Sequence, residues 1–172
     1  MKCFIGAMLL SLCFYSYADN IEEIQSLGNS LTEAVKSKSY VKLKSFSNTK
    51  EIKKFLSKNK CPGYKYRAYV LADKNKFYLV ASKGKGVVIG RHFVGNINDN
   101  TVDIDSLSSS TKGCINLGPT QKDSAAKFVT HLKPEPSEFH VLQSNLANIA
   151  LFVSTKGGLY SVSEGNVKKI KD

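Results

Sequence analysis

At 172 residues the chain is one domain by length, and it is large enough to bury a core without many covalent staples. Its formal net charge of +11 points to an anionic partner. Beyond residue 18 no run approaches the roughly 20 apolar residues a helix needs to cross a bilayer, which excludes a helical membrane protein once the start of the chain is set aside.

Residues 1–18 read as a secretory leader. Lys2 supplies a short positive region, residues 4–14 are apolar, and Ser16-Tyr17-Ala18 places small residues before a cut between Ala18 and Asp19. Leu10-Ser11-Leu12-Cys13 resembles a lipobox, but Leu12 stands where that signal wants Gly, Ala or Ser and the apolar run continues past Cys13, so lipidation at Cys13 is the minority reading. The cut removes Lys2, Cys3 and Cys13, leaving a basic chain 19–172 of charge +10, destined for the periplasm of a Gram-negative-type envelope or for secretion.

The first helix is expected over 21–36, with Asn20 as N-cap and Glu23 three residues on. Ile21, Ile24, Leu27, Leu31 and Val35 form its apolar stripe. Gly28 weakens it slightly. Ser39 heads a short second helix that turns Val41, Leu43 and Phe46 inward, and Thr49 heads a third on Ile52, Phe55 and Leu56. Residues 19–60 thus form a basic helical part, and 61–172 a sheet-rich part.

The charge is segregated. Residues 36–91 hold sixteen Lys and Arg against Glu51 and Asp73, so this segment is +14 and the rest of the mature chain −4. Scattered surface lysines do not segregate in this way, and the segment reads as a basic face. Lys42, Lys44, Lys53, Lys54, Lys65, Arg67 and Arg91 are its candidate contacts. The expected partner is an acidic protein or another anionic envelope component; no nucleic acid is expected.

Strand signals follow the break at 59–63. Alternation marks 64–72, then 77–81, 87–94 and 101–105, joined by short turns that imply an antiparallel meander. Residues 121–132 carry Ala125, Phe128, Val129 and Leu132 at helical spacing. Strands at 139–143, 149–154, 159–163 and 167–170 close the chain. The sum is an α+β fold: N-terminal helices packed on a mainly antiparallel β-sheet interrupted by one helix.

Cys61 and Cys114 remain after the leader, and an even number in an oxidising compartment favours one disulfide. It closes a loop of about fifty residues and contributes roughly 2–4 kcal/mol. His92, His131 and His140 lack metal-ligand spacing, and His140, between Phe139 and Val141, reads as an exposed strand histidine. Asp99, Asp103 and Asp105 lack the glycine and terminal glutamate of a calcium loop. No metal and no cofactor is expected. Tyr64, Tyr66, Tyr69, Phe77 and Tyr78 interleave with basic residues, and core packing outweighs ligand stacking for them.

Thr111, Gly113, Cys114 and Asn116 resemble the nucleophile loop of the L,D-transpeptidases, envelope enzymes that work through a cysteine acyl-enzyme. The resemblance implies Cys114 as nucleophile and His92 as its base, with the amides of Gly113 and Cys114 holding the oxyanion. Element order is also similar to the nuclear-transport-factor-2-like domains, which implies a lipid or glycan pocket between helices and sheet. A binding protein of inhibitor or immunity type, using the basic face, ranks ahead of both.

Overall fold

The computed structural model describes the backbone from Ile5 to Asp172 and the side chains from Asn20 onward. The side chains of the expected leader, Lys2 and Cys13 among them, lie outside the described residues. Helix α1 spans Ile5–Lys36 and passes through the expected cut. Asn20 is therefore not an N-cap here. The helix continues on its N-terminal side, so no free N–H groups need capping, and the Asn20 side chain meets Glu135 instead.

A single 3-10 turn, Leu43–Ser45, stands where a second helix is expected. The reason lies just ahead of it. Val41 is β-branched and bridges to Ala68, its N–H donating to the Ala68 carbonyl at 2.8 Å, which holds the chain extended. Helix α2, Thr49–Asn59, follows, with Asn48 in the N-cap position.

Eight strands form two sheets of four. The first contains β1 (Lys65–Leu71), β2 (Lys76–Ser82), β3 (Phe93–Asn98) and β4 (Thr101–Val102), antiparallel in chain order. The second contains β5 (Ala126–Thr130), β6 (Ala150–Thr155), β7 (Gly158–Ser163) and β8 (Asn166–Lys171). All its pairs are antiparallel except β5 with β6, which are parallel and joined through helix α3, Glu138–Ala147. A parallel pair needs such a crossover, because a tight turn cannot reverse the chain twice. The fold is α+β, with helices packed on largely antiparallel sheets.

Three apolar clusters show how the layers stack. Ile52, Phe55 and Leu56 of α2 meet Ala68, Phe77, Leu79 and Phe93 on one face of the first sheet. The other face of that sheet, with Tyr69, Leu71, Tyr78 and Val80, meets Leu27 and Leu31 of α1 and Phe139 and Leu142 of α3. Val141 of α3 turns the opposite way, against Leu151, Val153, Tyr160 and Val162 of the second sheet, where Ile21 and Ile24 also pack. The order is α2, first sheet, the α1–α3 pair, second sheet.

Two segments exchange identity relative to the periodicity. Residues 121–132 hold a strand, not a helix. Only Val129 of their apolar set is buried, while Phe128 and Leu132 are 61% and 78% exposed. Residues 139–143 belong to α3, not to a strand. Phe139, His140, Val141, Leu142, Gln143 and Ser144 are all buried, because α3 lies between two sheets. Over 139–144 the helix is covered on every side, so this stretch has no polar stripe for a period to reveal. Residues 87–94 are also no continuous strand. Val87 and Ile89 pair with the segment around Cys114, Arg91 turns at φ +60°, and the first sheet resumes at Phe93. The strand expected over 101–105 is cut to Thr101–Val102, because the Asp103 side chain turns back to the Asp105 and Ser106 amides.

Candidate functional site

Cys61 and Cys114 form a disulfide with their Cα atoms 5.7 Å apart, closing 53 residues. Cys61 is buried and Cys114 exposed. The Cys114 loop lies against residues 86–91. The Val87 amide donates to the Gly118 carbonyl at 2.9 Å, the Leu117 amide to Val87 at 2.9 Å, and the Ile89 amide to Ile115 at 2.9 Å. Gly90 is required there: a β-carbon would overlap the Gly113 carbonyl and the Ile115 amide. Two residues of the transpeptidase-like motif are spent on holding this loop in shape, one across the contact and one within the loop. Thr111 Oγ1 accepts from the Arg91 amide at 2.9 Å, and Asn116 Oδ1 accepts from the Gly118 amide at 2.9 Å.

The pair implied for acyl transfer is not assembled. The Cys114 sulfur is bonded to Cys61. His92 is fully buried, with its ring stacked on Phe139 at 4.7 Å between centroids. Its Nδ1 accepts from the Ala81 amide at 3.0 Å and its Nε2 donates to the Val88 carbonyl at 2.7 Å. No ring nitrogen remains to activate a thiol. Burial lowers the imidazole pKa to about 4.

His140 is buried too, inside α3 and not on an exposed strand. The strand reading missed Ser137, whose hydroxyl caps the helix, and the helix places the imidazole inward. His140 Nδ1 accepts from the Ser137 amide at 2.9 Å, so histidine stands where a capping box ordinarily carries Glu or Gln. Its pKa falls to about 3, chiefly through burial and then through the neighbouring His131, whose ring centroid is 4.9 Å away. Among the described residues no group of three or more His, Cys, Asp or Glu is arranged to hold a metal ion.

The space a pocket of the nuclear-transport-factor-2 kind would occupy, between helices and sheet, is filled. Leu31, Tyr69, Tyr78, Phe139 and Leu142 are packed there and buried. Tyr69, Phe77 and Tyr78 are core residues, and Tyr64 and Tyr66 are half-buried.

The seven basic candidates divide by position. Lys42 and Lys44 on the 3-10 turn and Lys53 and Lys54 on α2 are exposed. Lys65 and Arg67 are exposed on β1, and strand alternation points them to the face opposite α2. Arg91 is half-buried, its guanidinium 5.9 Å from the centre of the Phe93 ring. Among the described residues none of the seven forms an ion pair.

Arg67 borders a cleft of about 240 Å³ at the end of the helical layer. Val35 of α1, Tyr69 of β1, Val80 of β2 and Leu146 of α3 line it together with Lys85. Tyr40 stands beside it, with the Arg67 guanidinium 5.1 Å from its ring centre. Tyr40 is 48% exposed and Leu146 39%. Neither residue stands out in the sequence. Tyr40 sits in a lysine-rich connection, and Leu146 becomes a surface residue only because 138–147 is helical. Compared with family models, with curated proteins and with solved structures, the chain matches none.

Proposed function

We propose that this protein is exported, sheds residues 1–18, and acts as a binding protein that recognises an acidic protein partner through its basic segment, in the manner of an inhibitor or immunity-type protein. One observation carries the reading. Lys42, Lys44, Lys53, Lys54, Lys65 and Arg67 are all exposed, and among the described residues they have no acidic partner. Cations left unpaired at a surface raise the rate of encounter with an acidic partner and make it salt-sensitive. Support for export comes from the leader and from the Cys61–Cys114 bond, which persists in oxidising compartments. Among the described residues no helix is long and apolar enough to cross a membrane.

The test is capture from envelope extract at low and at high salt, with wild type beside a Lys53→Glu/Lys54→Glu variant and a Lys65→Glu/Arg67→Glu variant, which probe the two faces of the first sheet. The reading expects a protein captured at low salt, released at high salt, and held about tenfold less by one of the two variants. Recovery of no protein at low salt would sink it. The mass of the periplasmic form, expected to begin at Asp19, checks the export step separately.

A further inference from the structure

The cleft beside Arg67 differs from the rest of the basic segment in having an apolar floor. Tyr69 of β1 and Val80 of β2, both core residues, form that floor between Val35 and Leu146 near the C-terminal ends of α1 and α3. Charge gathers at its rim. Arg67 and Lys85 line it, and Lys65, two residues from Arg67, lies on the same face of β1. Among the described residues none of these three cations is in an ion pair. Gln143, the buried polar residue of the lining, is already engaged, accepting from the Val88 amide at 3.1 Å.

The size of the cleft decides among occupants. At about 240 Å³ it falls below the roughly 300–1,000 Å³ of small-molecule sites, and has room for one inserted side chain. Leu146, a large apolar residue left exposed, lines it, and the exposed Tyr40 packs its ring on the Arg67 guanidinium. Tyrosine and arginine around an apolar pocket are the composition of an interface anchor, where one buried side chain supplies most of the affinity.

We infer that this cleft is the anchor point for the acidic partner. It takes one apolar side chain from a partner segment whose neighbouring Asp or Glu residues meet Arg67 and Lys85. The inference rests on the basic-segment reading above and adds the chemistry of the contact: carboxylates steer the approach and the apolar side chain holds it.

The experiment uses the oxidised protein, labelled with 15N, and three eight-residue peptides. One carries four acids around a central phenylalanine. The second has alanine at the centre, and the third has lysines in place of the acids. The phenylalanine peptide should shift the amides of Val80, Ser82, Gly84, Gly86 and Leu146. The alanine peptide should bind about tenfold more weakly, and the lysine peptide not at all. Leu146→Glu, an exposed position, should weaken the first peptide about tenfold, and Lys53→Glu on α2 less than about threefold.

Equal binding of the phenylalanine and alanine peptides, or shifts confined to the α2 lysines, would overturn the anchor while leaving the basic-segment reading standing. No shift with any acidic peptide at low salt would overturn both. Shifts of the cleft amides by phosphatidylglycerol vesicles, with none by the peptides, would make the cleft a lipid site and overturn the inference.

Discussion

All three histidines are buried, and two of them hold main-chain groups. His92 joins the Ala81 amide to the Val88 carbonyl, and His140 caps α3 through the Ser137 amide. Each does so as a neutral ring. His131 is lowered as well, by burial and by Lys133. The folded pKa values lie below the unfolded value of 6.5, so the folded state resists protons that the unfolded chain accepts. Stability from these groups is therefore complete above about pH 6.5 and is lost as pH falls toward 4. For His92 alone the loss is roughly 3 kcal/mol. Glu138, facing Glu23 and Lys133, works in the opposite sense: burial raises its carboxyl, which favours the folded state at lower pH. Three groups oppose one, and urea midpoints should fall steeply between pH 7 and 4.5. His140→Gln keeps a capping-box acceptor and removes one titration. We expect it to shrink that loss by about 2 kcal/mol or more, and an unchanged pH profile would refute the assignment.

Helix α1 and helix α3 cross at Gly28. A β-carbon there would overlap Val141 and the Glu138 carbonyl, so the glycine is present for close approach, not for flexibility. In an isolated helix, Gly28→Ala should stabilise by about 1 kcal/mol. In this protein we expect the reverse, a destabilisation of about 1–3 kcal/mol in denaturant titration, because the two helices must separate to admit the methyl group. The same crossing explains the misread elements. α3 is buried on both sides, so its residues show no amphipathic period, and Phe139-His140-Val141 imitates a strand. β5 has one buried face and an edge, and the exposed Phe128 and Leu132 lend it a helical period by coincidence.

Both sheets close on the α1–α3 pair, and the disulfide ties the Cys114 loop to the start of the first sheet. Neither sheet keeps its inner face covered if that helical pair leaves. Unfolding should therefore be one transition, with far-ultraviolet dichroism and tyrosine fluorescence giving coincident midpoints. Replacing both cysteines by serine should lower stability by roughly 2–4 kcal/mol without splitting the curves. Two separate transitions would show that the sheets fold independently.

The chain itself settled what depends on neighbouring residues and on inventory. The α1 stripe from Ile21 to Val35, the α2 face of Ile52, Phe55 and Leu56, and the last three strands are local patterns with a wet side, and the hairpin of β1 and β2 is marked by its short turn. The Cys61–Cys114 pair followed from there being no third cysteine beyond residue 18, and the excess of lysine in 36–91 is a matter of counting. Tertiary structure decided the rest. It split the strands into two sheets, because pairing partners far apart in sequence leave no mark on local alternation. It buried His92 and His140, which only the second layer could cover. It also brought Val35, Arg67, Val80 and Leu146 to one cleft, since their proximity exists only where four elements meet.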